Sequence, residues 1–222
     1  MELPPNLHAF VWTAAGANNC NTYLLRAAEK NILVDPGHAA LFDHVRHGLA
    51  SLGLAPEDID LIIGTHAHPD HIEAVRLFAR PPALFTLHTA EWQLVEEAAP
   101  HLRAALNFDP EGLTPDFFLT EGELTVDDID LQVFHTPGHA PGAVTLFWPQ
   151  ERALLTGDLI FRGGLGRADL PGGDGRKLKE SIRRMAALDA DWLLPGHGDV
   201  ISGAEAVRTN FAGVERTWFD YI

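Results

Sequence analysis

The apolar run Leu61-Ile62-Ile63 stops at Gly64, and Thr65-His66-Ala67-His68-Pro69-Asp70-His71 follows at once, so four side chains able to ligate a metal ion share one loop. A strand-like run that ends on such a loop places the candidate ligands at the turn that follows it. One loop reaches an ion from one side only, and the other ligands must come from elsewhere in the chain. His139 in Thr136-Pro137-Gly138-His139, Asp158 in Thr156-Gly157-Asp158 and His197 in Pro195-Gly196-His197-Gly198 each stand at a turn after a strand-like segment. These seven candidates exceed the four places of one tetrahedral ion and suit two ions.

An extended segment points residues i and i+2 the same way, so His66 and His68 are expected to grip one ion together. Pro69 stiffens the turn beyond them. The helical pattern from Ile72 onward places Asp70 and His71 near a helix N-terminus, where an anionic ligand is favoured. His8, His38, His44, His47, His88, His101 and His135 lack such company and are read as surface or satisfied core residues. Cys20 is the only cysteine, so no intrachain disulfide can form. Placed before the apolar Tyr23-Leu24-Leu25, it reads as a small buried thiol.

Composition narrows the function classes. With 16 Lys plus Arg against 31 Asp plus Glu the formal charge is -15, which repels a phosphate backbone, so nucleic acid is not an expected partner. Arg176, Lys177, Lys179, Arg183 and Arg184 come nearest to a basic cluster, but Glu180 lies among them and a solvated helix face accounts for them. No apolar run approaches the roughly 20 residues needed to cross a bilayer. The N-terminal segment has no basic stretch followed by an apolar one, and a cytoplasmic protein without a membrane partner is expected.

Short apolar runs alternate with helical periodicity, which predicts an α/β fold. Strands are expected at 23–25, 32–34, 61–63, 83–87, 131–134, 144–148, 153–155 and 192–194. Helices are expected at 40–52, 72–79, 91–98, 178–188 and 204–214. Residues 107–123 read as a turn-rich bridge. It divides residues 1–222, taken as one domain, into half-domains of about 1–110 and 120–222. Each half opens with closely spaced strands and closes with strand-helix alternation, so two mixed sheets with helices outside are expected.

The order His-x-His-x-Asp-His, then His139, Asp158 and His197, resembles the metallo-β-lactamase superfamily over residues 35–197. The resemblance implies a four-layer αββα sandwich. It implies that His66, His68 and His139 hold one ion, that Asp70, His71 and His197 hold a second, and that Asp158 bridges them. Asp35, in Val34-Asp35-Pro36-Gly37, matches a family position behind the ligands, where a carboxylate fixes the ring of a ligand histidine. A simple turn aspartate is the competing reading.

Within the superfamily the Thr-Pro-Gly-His and Thr-Gly-Asp contexts are most similar to short glyoxalase II-like (hydroxyacylglutathione hydrolase-like) proteins and to persulfide dioxygenases. The first group implies two divalent ions, zinc by preference, and a metal-bound hydroxide that cleaves a thioester, with Asp70 and Asp158 as catalytic carboxylates. The second implies one Fe(II) on His66, His139 and Asp158, which leaves positions open for a sulfur substrate and oxygen. A metal-binding protein without turnover is the third alternative. β-Lactam hydrolysis is not expected, since lactamases proper often carry Cys or Ser where Asp158 stands.

Either enzyme would take a small thiol ester or related sulfur compound. The chain ends at Ile222, soon after His197, so the separate C-terminal helical substrate domain of long glyoxalase II is not expected. The segment 163–175 resembles a loop of the short proteins. Arg167 within it is the candidate for a substrate carboxylate, with a structural role as its competitor. A homodimer is the base-rate expectation.

Overall fold

The computed structural model describes residues 3–79, 81–106 and 108–222, without the side chains of 98–106. His101 therefore lies outside the described side chains. The first sheet consists of β1 (Leu7–Phe10), β2 (Thr22–Arg26), β3 (Asn31–Val34), β4 (Leu61–Ile63), β5 (Leu84–His88) and β6 (Phe117–Leu119), in that spatial order. β1, β2 and β3 form an antiparallel meander, and β3 to β6 run parallel. The crossovers between the parallel strands carry α1 (Asp43–Ser51), the short α2 (Pro69–Ile72) and α3 (Thr89–Leu106).

The second sheet takes β7 (Gly122–Val126), β8 (Ile129–His135), β9 (Val144–Trp148), β10 (Ala153–Gly157), β13 (Trp192–Pro195) and β14 (Ile201–Ser202), in the spatial order β14-β13-β10-β9-β8-β7. β10 and β13 are parallel across α4 (Gly175–Ala186), and a small hairpin of β11 (Ile160–Phe161) and β12 (Gly164–Leu165) lies before α4. α5 (Ala204–Trp218) follows β14.

The strands read as continuous apolar runs because both faces of each sheet are covered, which occurs where helices flank a sheet. Side chains alternate between faces. Leu24, Leu33 and Ile62 point to a core shared with α1 and α3, while Tyr23, Leu25, Ile32, Val34 and Ile63 join Leu131, Val133, Leu146 and Leu155 in the core between the sheets. On the far side, Phe147, Leu154 and Leu193 pack with Ile182, Met185, Val207 and Phe211 of α4 and α5. Three apolar layers thus join helices, sheet, sheet and helices, the αββα order.

The interior of the fold follows the expected elements, and the differences lie at its edges. β1, β6, β7, β11, β12 and β14 escape the apolar-run criterion because they are short or half-exposed. The bridge at 107–123 holds β6, which completes the first sheet by pairing with β5. The helix expected at 72–79 is the short α2 followed by a 3-10 turn, Glu73–Leu77. The helix expected at 91–98 extends to Leu106. Among the described residues no helix is long and apolar enough to cross a membrane.

Candidate metal centre

Every candidate ligand leaves the carboxyl end of a strand at one edge of the two sheets. β3 runs into Asp35, β4 into 64–71, β8 into 136–143, β10 into Asp158 and β13 into 196–197. In open α/β sheets this edge is where sites form, because the turns are free to vary while the strands fix their starting points. His68 is extended (φ -67°, ψ 145°), and Pro69 then opens α2 with a fixed φ, which turns Asp70 and His71 inward.

The seven side chains converge in overlapping groups whose ligand atoms lie within 4.8 Å of one another: His66, His68 and His139; His66, His71 and Asp158; Asp70, His71 and His197. In the first trio the facing atoms are His66 Nε2, His68 Nδ1 and His139 Nε2, at 3.0 and 2.9 Å. Asp158 stands between the trios, with Oδ1 3.3 Å from His71 Nε2 and Oδ2 3.5 Å from His139 Nε2 and from His197 Nε2.

The outer ring nitrogens are committed elsewhere, and this sets which nitrogen faces inward. His139 Nδ1 donates to the Arg167 carbonyl at 2.7 Å, and His71 Nδ1 donates to Asp35 Oδ2 at 2.8 Å. Asp35 also accepts from the Thr65 amide and hydroxyl, each at 2.7 Å, and the Thr65 hydroxyl lies 3.1 Å from His66 Nδ1. Asp35 therefore orients His71 directly and His66 through Thr65, which is more than a turn aspartate does. Its backbone sits in the left-handed region, at φ 53°, where aspartate is tolerated.

A cationic occupant fits this arrangement. His71 Nε2 and Asp158 Oδ1 are buried and face each other at 3.3 Å, an ion-pair separation, yet neither makes a hydrogen bond among the described residues. Orphaned polar atoms of this kind are costly in a folded interior unless something else satisfies them, and imidazole plus carboxylate is a donor set for divalent metals. Gly196 keeps the space open, because a Cβ there would press on Asp158 Oδ1 and stand 2.8 Å from His71 Cε1.

The proton affinities divide the site. Burial holds His66, His68 and His139 below the ordinary histidine range, His68 at about 4, so their lone pairs are free at neutral pH. Burial also opposes charge on His71 and His197, but Asp158, together with Asp70 in the case of His197, outweighs it. His71 is raised well above its usual value, and His197 is raised to about 9. Burial works against ionised Asp70 and Asp158 in the same way. The His197 contact and the His71 charge prevail at Asp70, and the His71 charge foremost at Asp158, so both are held well below the carboxylate range.

A cleft of 770 Å³ opens over the ligands, with Phe161, Leu165, Leu170 and Pro69 as its apolar wall and Asn18, His38 and Arg167 among its polar lining. The Arg167 guanidinium binds Asp169 at 2.6 and 2.7 Å, so its charge is already matched. Its carbonyl, bonded to His139, ties it to the ligands.

Several residues of the site carry no sequence signal. Asn18 Nδ2 donates to Asp70 Oδ2 at 2.6 Å, and Asn21 Nδ2 clamps the His197 turn through the carbonyls of Pro195 and Gly198, at 3.0 and 2.8 Å. Cys20 is fully buried against the Asp35 carbonyl, in agreement with a structural thiol. His135 stays out of the ligand group and stacks on His88 at 4.4 Å. His38 lines the cleft, where it meets Glu73 at 2.9 Å.

A family model described as the metallo-beta-lactamase superfamily matches residues 15–197, which include Asp35 and all the candidate ligands. A probable metallo-hydrolase of Methanocaldococcus jannaschii is 35% identical over 196 residues, 81% of this chain and 88% of that protein. Hydroxyacylglutathione hydrolase GloC of Haemophilus influenzae is 29% identical over 199 residues, 86% of this chain and 91% of its own. The crystal structure of TTHA1623 in a di-iron-bound form superposes with a TM-score of 0.73 at 33% identity, covering 89% of this chain and 97% of that one. With the fold, the ligand edge and these matches in agreement, the chain belongs to the metallo-beta-lactamase superfamily.

Proposed function

We propose that the protein is a hydrolase that cleaves a thioester at two divalent ions, one held by His66, His68 and His139, the other by Asp70, His71 and His197, with Asp158 between them. The observation that carries the reading is the pair of buried, unbonded atoms, His71 Nε2 and Asp158 Oδ1, at the junction of the two trios. A single iron on His66, His139 and Asp158 would leave the convergent Asp70, His71 and His197 without a task. Two divalent ions bound there supply a hydroxide at neutral pH from a water whose pKa falls to roughly 7, and they polarise a carbonyl. Zinc is our first choice of metal for hydrolysis, and the di-iron form of TTHA1623 makes iron the alternative.

The chain's own groups supply the rest. The Asp70 carboxylate at the cleft floor is kept ionised and orients the attacking oxygen by accepting its hydrogen bond. Asn18 fixes its orientation by donating to Oδ2. Asp35 and the Arg167 carbonyl keep His71 and His139 in the tautomers that face inward. Phe161, Leu165 and Leu170 form an apolar wall that receives the acyl part of the substrate and excludes water from it. A thiolate leaves without prior protonation, so the site requires no strong general acid. The GloC relative supports a glutathione thioester as the first compound to try.

The deciding experiment measures the metal content of the purified protein beside three assays: hydrolysis of S-lactoylglutathione, oxygen uptake on glutathione persulfide, and opening of a β-lactam. Two ions with thioester cleavage and no oxygen uptake is the expected result. One iron with oxygen uptake, β-lactam opening without thioester cleavage, or two ions with no turnover in any assay would overturn the reading.

A further inference from the structure

Glu91 is a carboxylate that the reaction above does not use. It lies in the first turn of α3 and is 1% exposed. Its two oxygens are spent on backbone amides: Oε2 accepts from Ala67 N–H at 2.7 Å, and Oε1 accepts from Gly142 N–H at 2.6 Å. Ala67 lies between His66 and His68, and Gly142 lies on the 136–143 loop that carries His139. One side chain thus fastens the two loops that bring together the first trio.

The packing around Gly142 shows how closely that loop is docked. A Cβ at Gly142 would stand 2.7 Å from the Glu91 amide nitrogen and 2.8 Å from His88 Nδ1. His88 in turn stacks on His135, whose Nε2 donates to the Pro141 carbonyl at 2.9 Å. Burying a carboxylate is costly, and among the described residues no cation pairs with Glu91; the amide pair together with the N-terminal end of α3 offsets part of that cost. The second trio is held by other groups, Asp35 on His71, Asn18 on Asp70 and Asn21 on the His197 turn.

We propose that Glu91 is the positioning residue of the first ion site, setting the spacing of His66, His68 and His139 and leaving the second trio to its own supports. The proposal rests on the two-ion reading above. Loss of a group that orients ligands costs about 10- to 100-fold in metal affinity, and here that loss falls on one ion of the two.

The test is competitive titration of zinc and cobalt into metal-free wild type, Glu91→Ala, Glu91→Gln and Val95→Ala. Val95 is a buried α3 residue that makes no contact of this kind and serves to reproduce a general loosening of the helix. Cobalt spectra of His68→Ala and Asp70→Ala provide references for a protein lacking the first or the second site. Glu91→Ala is expected to lose one ion by 10- to 100-fold, with a spectrum at low cobalt that matches His68→Ala. Glu91→Gln, which keeps one acceptor oxygen, is expected to fall between it and wild type, and it carries the test if the alanine protein does not fold.

Wild-type affinity for both ions in the Glu91 proteins, equal loss of both, or the same selective loss in Val95→Ala would overturn the assignment. Fewer than two ions in the wild type would instead overturn the two-ion reading itself.

Discussion

His66, His68 and His139 meet as neutral imidazoles, whereas His71 and His197 share their corner with the ionised Asp70 and Asp158 and hold protons at neutral pH. The first trio is gathered from two loops joined through Glu91, and the second is anchored by Asp35, Asn18 and Asn21. Both trios are buried near one edge, so burial alone does not separate them. The carboxylates do. His71 has Asp35 and Asp158 within 3.3 Å, and His197 has Asp70 and Asp158 within 3.5 Å, so each retains the proton that desolvation would otherwise expel; His139 meets Asp158 alone, at 3.5 Å, and there burial prevails.

The sharpest break in that comparison is removal of the group common to both trios. Asp158→Ala is expected to lower kcat/KM by about a thousandfold or more and to weaken both ions, since it removes the charge that faces each trio. Metal analysis beside steady-state kinetics checks this. Retention of both ions at full affinity would show that Asp158 does not link them.

Asp35→Asn is expected to act on the two trios unequally. It disturbs His71 directly and His66 only through Thr65, so a loss of about 10- to 100-fold in affinity should fall mainly on the second ion. A stepwise zinc titration reads this, and an equal effect on both ions would erase the distinction.

Proton release offers a third test. A metal must displace the protons of His71 and His197 but finds the first trio already neutral. Zinc uptake at neutral pH should therefore release protons with the second ion only, and the His197 share should vanish as the pH climbs past about 9. Calorimetry in buffers of different ionisation enthalpy measures it. The same shifts fix the stability of the metal-free protein. His197, raised from 6.5 to about 9, contributes stability that is fully present below 6.5 and is lost as the pH rises through about 9. Asp70 and Asp158, lowered from 3.8, contribute stability present above 3.8 and lost as the pH falls through their depressed values.

The smallest effect is expected at Arg167. Asp169 already neutralises its guanidinium, and its carbonyl survives truncation, so Arg167→Ala should keep both ions and change KM for an anionic thioester by less than about threefold. A larger rise in KM with kcat unchanged would instead give Arg167 a role in binding the substrate.

The candidate ligands were legible because their chemistry is local, with imidazoles and carboxylates placed at turns directly after apolar strands. The inner strands were legible because continuous apolar runs signal sheets covered on both faces. The edge strands were not, since half-exposed strands such as β7 do not stand out by their apolar content.

In the sequence Glu91 stands only as one position of a helical pattern. Its partners lie 24 and 51 residues away and are backbone amides, which leave no mark in the side-chain pattern. Asn21, whose acceptors lie 174 and 177 residues away, was silent for the same reason.

The amino-acid sequence by itself determined the candidate ligand set, the strand-and-turn settings that carry it and the layered class of the fold, because these follow from residue type and short-range periodicity. Only the tertiary structure decided that the seven side chains form two trios of different charge around one carboxylate, and that Glu91 and Asn21 hold them. Those outcomes depend on distances between segments far apart in the chain, where a proton's position is set by whichever carboxylate packing brings within reach.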